Sequence, residues 1–358
     1  MSFTKKLFLT LMLVAIVVIT QFGITKFKTT ARSPSNVDLS EKIDEEEIEM
    51  SGIFGPLRAP KKYNPTKIEI GRLLFNDQRL SKNNTVSCAS CHNLMHGGAD
   101  NRQFAIGIDG SIGDANTPTV FNSALNFRQF WDGRAETLSE QAESPIHNPK
   151  EMGSNWPEIV GKLNKDSKLE QLFSKVYSDG INQKNIVDSI VEFEKTLITL
   201  DAPFDKYLKG DTAALTELQI SGYKKFSSYG CVACHQGQNI GGNMFQTMGI
   251  AGDYFKERGG SYPSDLGRYN ITKNEMDKHT FRVPSLRNVE LTAPYFHDGA
   301  VKTLEEAVKK MARFQLGRSL SKEDTDAIVA FLKSLTGKAP DTINESTSQG
   351  ARSGENSK

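Results

Sequence analysis

"CASCH" (88–92) returns as "CVACH" (231–235), and these two pentapeptides hold all four cysteines of the 358-residue chain. Two thiols separated by two residues can close a redox disulfide, supply half of a zinc site, or add across the vinyl groups of a haem whose iron takes the next histidine. Only the third use needs the histidine. A zinc ribbon pairs its knuckles over a short spacing, which the long segment between Cys91 and Cys231 does not offer. A redox motif of the thioredoxin kind sits in a βαβ pattern, and none surrounds either pentapeptide. The motifs therefore predict two covalently bound haems c. Cys88 and Cys91 attach the first, with His92 on its iron; Cys231 and Cys234 attach the second, with His235 on its iron.

Haem c is attached outside the bacterial cytoplasm, and the N-terminus reads as the route there. In residues 1–23, Lys5 and Lys6 precede an apolar run, the pattern of a signal peptide. No small-x-small cleavage site follows, and residues 7–24 approach the shortest spanning length of about 17 residues, so the same segment also reads as an N-terminal membrane anchor. Either reading places the protein in the periplasm, free or held at the inner membrane. Residues 24–60 include Pro34 and the acidic run 44–47 and read as a solvated linker. Residues 339–358, rich in Ser, Asn, Glu and Gly, read as a disordered tail. With 44 basic against 43 acidic residues the net charge is +1, which argues against a nucleic-acid partner.

Between linker and tail the chain repeats itself. Pro118-Thr-Val-Phe-Asn122, Phe130-Trp-Asp-Gly133 and Thr137-Leu-Ser-Glu140 recur as Pro284-Ser-Leu-Arg-Asn288, Phe296-His-Asp-Gly299 and Thr303-Leu-Glu-Glu306 at a constant offset, with Leu125 and Leu291 in the same register. Amphipathic stretches at 66–75 and 218–226 precede the two haem motifs. Thr137 with Glu140, and Thr303 with Glu306, read as capping boxes, and 187–200 and 324–335 carry apolar residues at helical spacing. Duplication of one haem-binding unit follows. The fold class is mainly α, with two cytochrome c-like haem domains, 61–205 and 206–338, wrapped by long loops.

The segments 116–153 ("NTPTVFNSALNFRQFWDGRAETLSEQAESPIHNPKEMG") and 281–317 ("FRVPSLRNVELTAPYFHDGAVKTLEEAVKKMARFQLG"), each downstream of its haem motif, resemble the bacterial dihaem cytochrome c peroxidases and the MauG-like proteins of the same superfamily. The resemblance covers roughly 60–338. It implies reduction of hydrogen peroxide to water with electrons from a small periplasmic cytochrome c or cupredoxin. It makes the first haem the peroxidatic one, with Glu151 as acid and base and Gln141 as a hydrogen-bond donor nearby. Spacing leaves Met244, Met248, Met276 and Met311 open as the sixth ligand of the second iron, and the resemblance points to Met311, where MauG-like proteins carry a tyrosine. It places Trp131, the repeat partner of His297, between the haems as an electron-transfer residue. It puts Ca²⁺ on the side chain of Asn116 and the carbonyls of Thr292 and Pro294, neutral oxygen donors that suit this ion. Family members are often homodimers.

One departure stands out. Many members carry a histidine after the first haem motif that blocks the peroxidatic iron until the other haem is reduced. Here that stretch is Ala105-Ile-Gly-Ile-Asp-Gly110, with Ile108 at the place of the ligand. Isoleucine cannot bind iron, and His96 lies too close to His92 in sequence to reach the opposite haem face by an ordinary path. The first iron is therefore expected to be open in the oxidised protein. His147 and His279 read as hydrogen-bonded loop residues. The competing functions are a MauG-like oxidase of a protein substrate and a dihaem electron carrier.

Overall fold

Each half of the duplicated chain opens with a helix that needs a glycine at its centre. In the computed structural model, which describes residues 52–343, the first half is framed by α1 (Pro65–Phe75), α2 (Leu138–His147) and α3 (Gln183–Glu194). The second is framed by α4 (Glu217–Ser228), α5 (Leu304–Leu316) and α6 (Lys322–Lys333). A Cβ on Gly71 of α1 would lie 1.9 Å from the carbonyl oxygen of Ser189 in α3; one on Gly222 of α4 would lie 1.9 Å from that of Ala327 in α6. The helices of each pair thus cross backbone against backbone, a contact only glycine permits. Phe193 flanks the first crossing and Phe331 the second.

The apolar side chains collect around these crossings. Ile70 and Leu74 of α1 meet Ile186 and Ile190 of α3 in one buried cluster; Tyr223 and Phe226 of α4 meet Ile328, Phe331 and Leu332 of α6 in another. Two short helices between α2 and α3, Trp156–Leu163 and Ser167–Ser174, extend the first cluster. The second half instead inserts the only sheet among the described residues, antiparallel strands β1 (Phe245–Thr247) and β2 (Thr280–Arg282) in register Gln246↔Phe281. The repeat persists in the backbone. Phe130 (φ 67°) and Phe296 (φ 70°) both take the left-handed conformation, uncommon for a bulky residue, inside loops closed by the bridges Gln129↔Ala135 and Tyr295↔Val301. Asn122 and Asn288 each donate from Nδ2 to Thr199 Oγ1 at 2.9 Å, so one buried threonine ties the two repeats together.

Helix α3 stops before that threonine. The helical periodicity of 187–200 continues past the observed end at Glu194, but the chain turns out of the helix and Leu200 pairs with Lys338. The capping boxes are half right. Thr137 and Thr303 accept from the amides of Glu140 and Glu306 as expected, whereas the Glu140 carboxylate accepts from Glu136 N rather than from its own cap residue. Complete boxes occur at Thr216 with Gln219 and at Ser87 with Ser90. The end of the segment read as linker is packed, with Phe54 and Leu57 buried. Gly55 O accepts from Arg287 and Leu57 N donates to Asp205, and Arg287 and Asp205 form a fully buried ion pair at 2.8 Å. At the other end Ile343, in the segment read as tail, joins the cluster of Phe75, Phe121 and Phe193. The signal or anchor segment lies outside the described residues, and no helix among the described residues is long and apolar enough to cross a membrane.

Candidate functional site

The first haem motif is a single helical turn, Cys88–Cys91, that delivers His92 at its end. His92 Nδ1 donates to the carbonyl of Gly98 at 3.2 Å, which leaves the Nε2 lone pair for a metal. Burial pushes the Cys88 thiol up to about 12 and Cys91 up to about 11. Zinc binding and disulfide exchange both need the thiolate. A thioether carries no charge and suits such a place.

Glu151 sits just beyond α2, in a turn closed by Glu151 N and Gly153 N donating to Asn148 O at 3.0 and 2.9 Å. Asn148 Nδ2 donates to Glu151 Oε1 at 2.6 Å and fixes the carboxylate. Lys82 N, just upstream of the first haem motif, donates to Met152 O at 2.9 Å and ties the turn to that half of the chain. Burial raises the Glu151 pKa, opposed by the Asn148 hydrogen bond and by Arg134. The loop that carries Ile108 is docked on this turn. Ile108 N donates to Glu151 O at 2.9 Å, Lys150 pairs with Asp114 at 2.6 Å, and a Cβ on Gly107 would strike Lys150 O. Ile108 is 6 % exposed and packs against Gly153. His96 and His147 are exposed, His147 beside the Trp156 ring, whereas His279 stacks on Phe255 and bonds Asp265 O. Gln141 is half-buried in α2.

The second motif opens on a large cavity. Cys231, Cys234, His235 and Met311 line it together, with a wall dominated by apolar side chains such as Phe226, Val289, Leu304 and Ile328. Of the other methionines Met248 also reaches the wall, while Met276 is 84 % exposed. Burial draws His235 down to about 4, keeping the imidazole neutral as a metal ligand must be. Among the described residues His235 Nδ1 is buried without a hydrogen-bond partner, unlike His92 Nδ1, which bonds Gly98 O. An apolar cavity with two buried cysteines, a neutral histidine and a thioether on its wall fits a haem c.

Trp131, Asn116, Thr292 and Pro294 line the same cavity. Trp131 Nε1 donates to Asn116 O at 2.8 Å, and its ring lies edge-on to that of His297, centroids 6.4 Å apart. Repeat partners thus meet face to edge. Asn116 Nδ2 donates to Arg102 O at 2.8 Å, an orientation that directs the side-chain oxygen away from that carbonyl. His297 belongs to a buried network that was not legible in the sequence. It bonds Asp265, and Arg258 pairs with both Asp265 and Asp298, so the acids already have their cation. Arg282, also unsignalled, lines the second cavity.

Glu194, at the end of α3, is a second missed residue. Its Oε2 is buried without a hydrogen-bond partner, and burial pushes its pKa up to about 8. A carboxyl whose folded pKa exceeds its unfolded value of about 4.3 costs nothing below the lower value, and its penalty grows until pH passes the upper one. Glu194→Gln is therefore expected to leave unfolding at pH 4 unchanged and to stabilise the haem-loaded protein at pH 8 by about 2 kcal/mol or more. Denaturant unfolding at both pH values checks this; an equal effect at both would refute it.

A family model described as di-haem cytochrome c peroxidase matches residues 65–213. The chain is 47 % identical over 288 residues to the cytochrome c551 peroxidase of Nitrosomonas europaea, covering 80 % of this chain and 84 % of that one. It is 52 % identical over 272 residues to the cytochrome c peroxidase Ccp of Escherichia coli K12, covering 76 % of this chain and 58 % of that longer protein. The crystal structure of a MauG-like protein associated with microbial copper homeostasis superposes with a TM-score of 0.69 at 27 % identity, over 78 % of this chain and 93 % of that one. The peroxidases are thus nearer in sequence than the MauG-like neighbour, and two haem groups go with the family. The chain belongs to the di-haem cytochrome c peroxidases.

Proposed function

We propose that the protein reduces hydrogen peroxide to water, H₂O₂ + 2H⁺ + 2e⁻ → 2H₂O, drawing the electrons from a small periplasmic cytochrome c or cupredoxin. The observation that carries this reading is Glu151, a half-buried carboxylate with a raised pKa, pinned by Asn148 in the half of the chain that holds the first Cys-x-x-Cys-His motif. When bound, haem supplies the iron redox chemistry and the electron storage. The chain's own residues do the rest. Glu151 takes the proton from one peroxide oxygen and returns it to the departing one, a role for which a carboxyl poised toward neutral pH is suited. Gln141 donates a hydrogen bond near the same oxygen.

Cys88, Cys91 and His92 hold the peroxidatic haem; Cys231, Cys234, His235 and Met311 hold the electron-transfer haem. A methionine, with histidine as the other protein ligand, would favour a high potential, as a relay requires. Its presence where MauG-like proteins carry tyrosine supports peroxidase over oxidation of a protein substrate. Trp131, on the wall of the second cavity, would offer an aromatic ring for electron passage with both haems bound. Asn116 Oδ1 with the Thr292 and Pro294 carbonyls holds Ca²⁺ between the domains 61–205 and 206–338. The N-terminal segment delivers the protein to the periplasm, as signal peptide or anchor.

Peroxide-dependent oxidation of a reduced small cytochrome c or cupredoxin by the haem-loaded protein tests the function. Turnover supports it. Electron exchange with the donors that peroxide does not accelerate would leave only a carrier.

A further inference from the structure

We propose that Arg282 forms a buried anion site on the wall of the second cavity, and that its occupant is a propionate carboxylate of the second haem. The proposal rests on the reading of that cavity as a haem site. Arg282 ends strand β2, 4 % exposed, and lines the cavity together with Cys231, His235 and Met311. Its backbone is fixed, N donating to Trp131 O at 2.8 Å, and its Nε donates to Phe130 O at 3.2 Å.

No carboxylate pairs with this guanidinium among the described residues. The other buried arginine among the described residues, Arg287, is compensated by Asp205, and the half-buried Arg258 by Asp265 and Asp298. At Arg282 burial alone acts, drawing the pKa down to about 10 with no opposing charge. Arg282 is 4 % exposed, and among the described residues its side chain has one hydrogen bond, from Nε to Phe130 O. A buried, uncompensated charge is costly, and the fork of a guanidinium matches a carboxylate in two parallel hydrogen bonds.

A haem supplies that partner. It is apolar except at its two propionates, which must find donors once the ring is enclosed. The cavity wall is otherwise chiefly apolar, so the guanidinium is where such a carboxylate is satisfied. The first half differs at this point. The repeat offset that relates Pro118 to Pro284 relates Asn116 to Arg282, and Asn116 is neutral, with its amide on Arg102 O. A fixed positive charge beside the second haem favours the reduced form of its iron.

The test is a spectroelectrochemical titration of the haem-loaded protein and its Arg282→Met and Arg282→Lys variants, in low and high chloride at constant ionic strength. Removing the charge while the propionate stays is expected to shift reduction of the second haem toward the oxidised form at least tenfold, about 59 mV for one electron. Lysine, a cation without the fork, falls between. The propionate band of the resonance Raman spectrum shifts in Arg282→Lys, a readout that survives if Arg282→Met fails to fold. Unchanged potential and unchanged propionate band would overturn the proposal, as would a wild-type potential that moves with chloride, which would mean a free anion at Arg282. Absence of haem on the peptide holding Cys231 and Cys234 would instead remove the haem reading itself.

Discussion

Glu151→Gln is expected to lower peroxide turnover by about 10²- to 10⁴-fold with haem content and thermal unfolding unchanged. The amide keeps the size of the side chain and an oxygen for Asn148 Nδ2 to bond, so the turn from Asn148 to Gly153 stays closed. What it loses is the proton acceptor. The pH profile provides a second readout. Because burial raises the Glu151 pKa, the rate of the wild-type protein climbs with pH through a range above that of an ordinary carboxylate, as the basic form appears. The variant lacks this climb. A drop of less than about tenfold, or a profile that keeps its shape, would take the proton transfer away from Glu151.

Gly71→Ala and Gly222→Ala are each expected to destabilise the protein by about 3 kcal/mol, although alanine is the better helix former by about 1 kcal/mol. The reason is local. A methyl group at either place would sit 1.9 Å from a carbonyl oxygen of the partner helix, and the neighbouring atoms belong to backbone and to a phenylalanine Cβ rather than to a flexible side-chain end. The helices must separate, and the clusters around Ile70 and Tyr223 loosen with them. Gly161→Ala provides the comparison, since a Cβ there meets nothing within 4 Å and should cost nothing. Thermal or denaturant unfolding of the three variants decides the matter; equal stabilities would mean that the crossings are not packed backbone to backbone.

The two haem motifs, the repeat and the helical character were legible because they depend on residue type at fixed spacing. The crossings were not. A glycine inside a helical pattern reads as a weak helix former, and its use appears only when Ser189 and Ala327, far along the chain, come up against it. Distance in sequence also hid the packing of Phe54 and Leu57, whose partners, the Phe204 ring and the Asp205 carboxylate, stand well over a hundred residues away. The threonine caps were readable from their offset to the next glutamate, yet the glutamate had another amide within reach and took it. Glu194, Arg258 and Arg282 belong to no motif. Each is an ordinary charged residue in the sequence; Glu194 and Arg282 become notable through burial, Arg258 through its pairing with Asp265 and Asp298. Ile108 is the reverse case, informative as a sequence position because it cannot ligate iron, and found buried against the turn that holds Glu151.

That contact carries the central claim, a peroxidatic iron left open without prior reduction. Stopped-flow mixing of hydrogen peroxide with the fully oxidised, haem-loaded protein tests it most directly. A prompt spectral change of the first haem, as fast as that seen after one-electron reduction, is the expected result. A first haem that stays low-spin and unreactive until the second is reduced would contradict it, and would mean that another side chain takes the place that Ile108 leaves free.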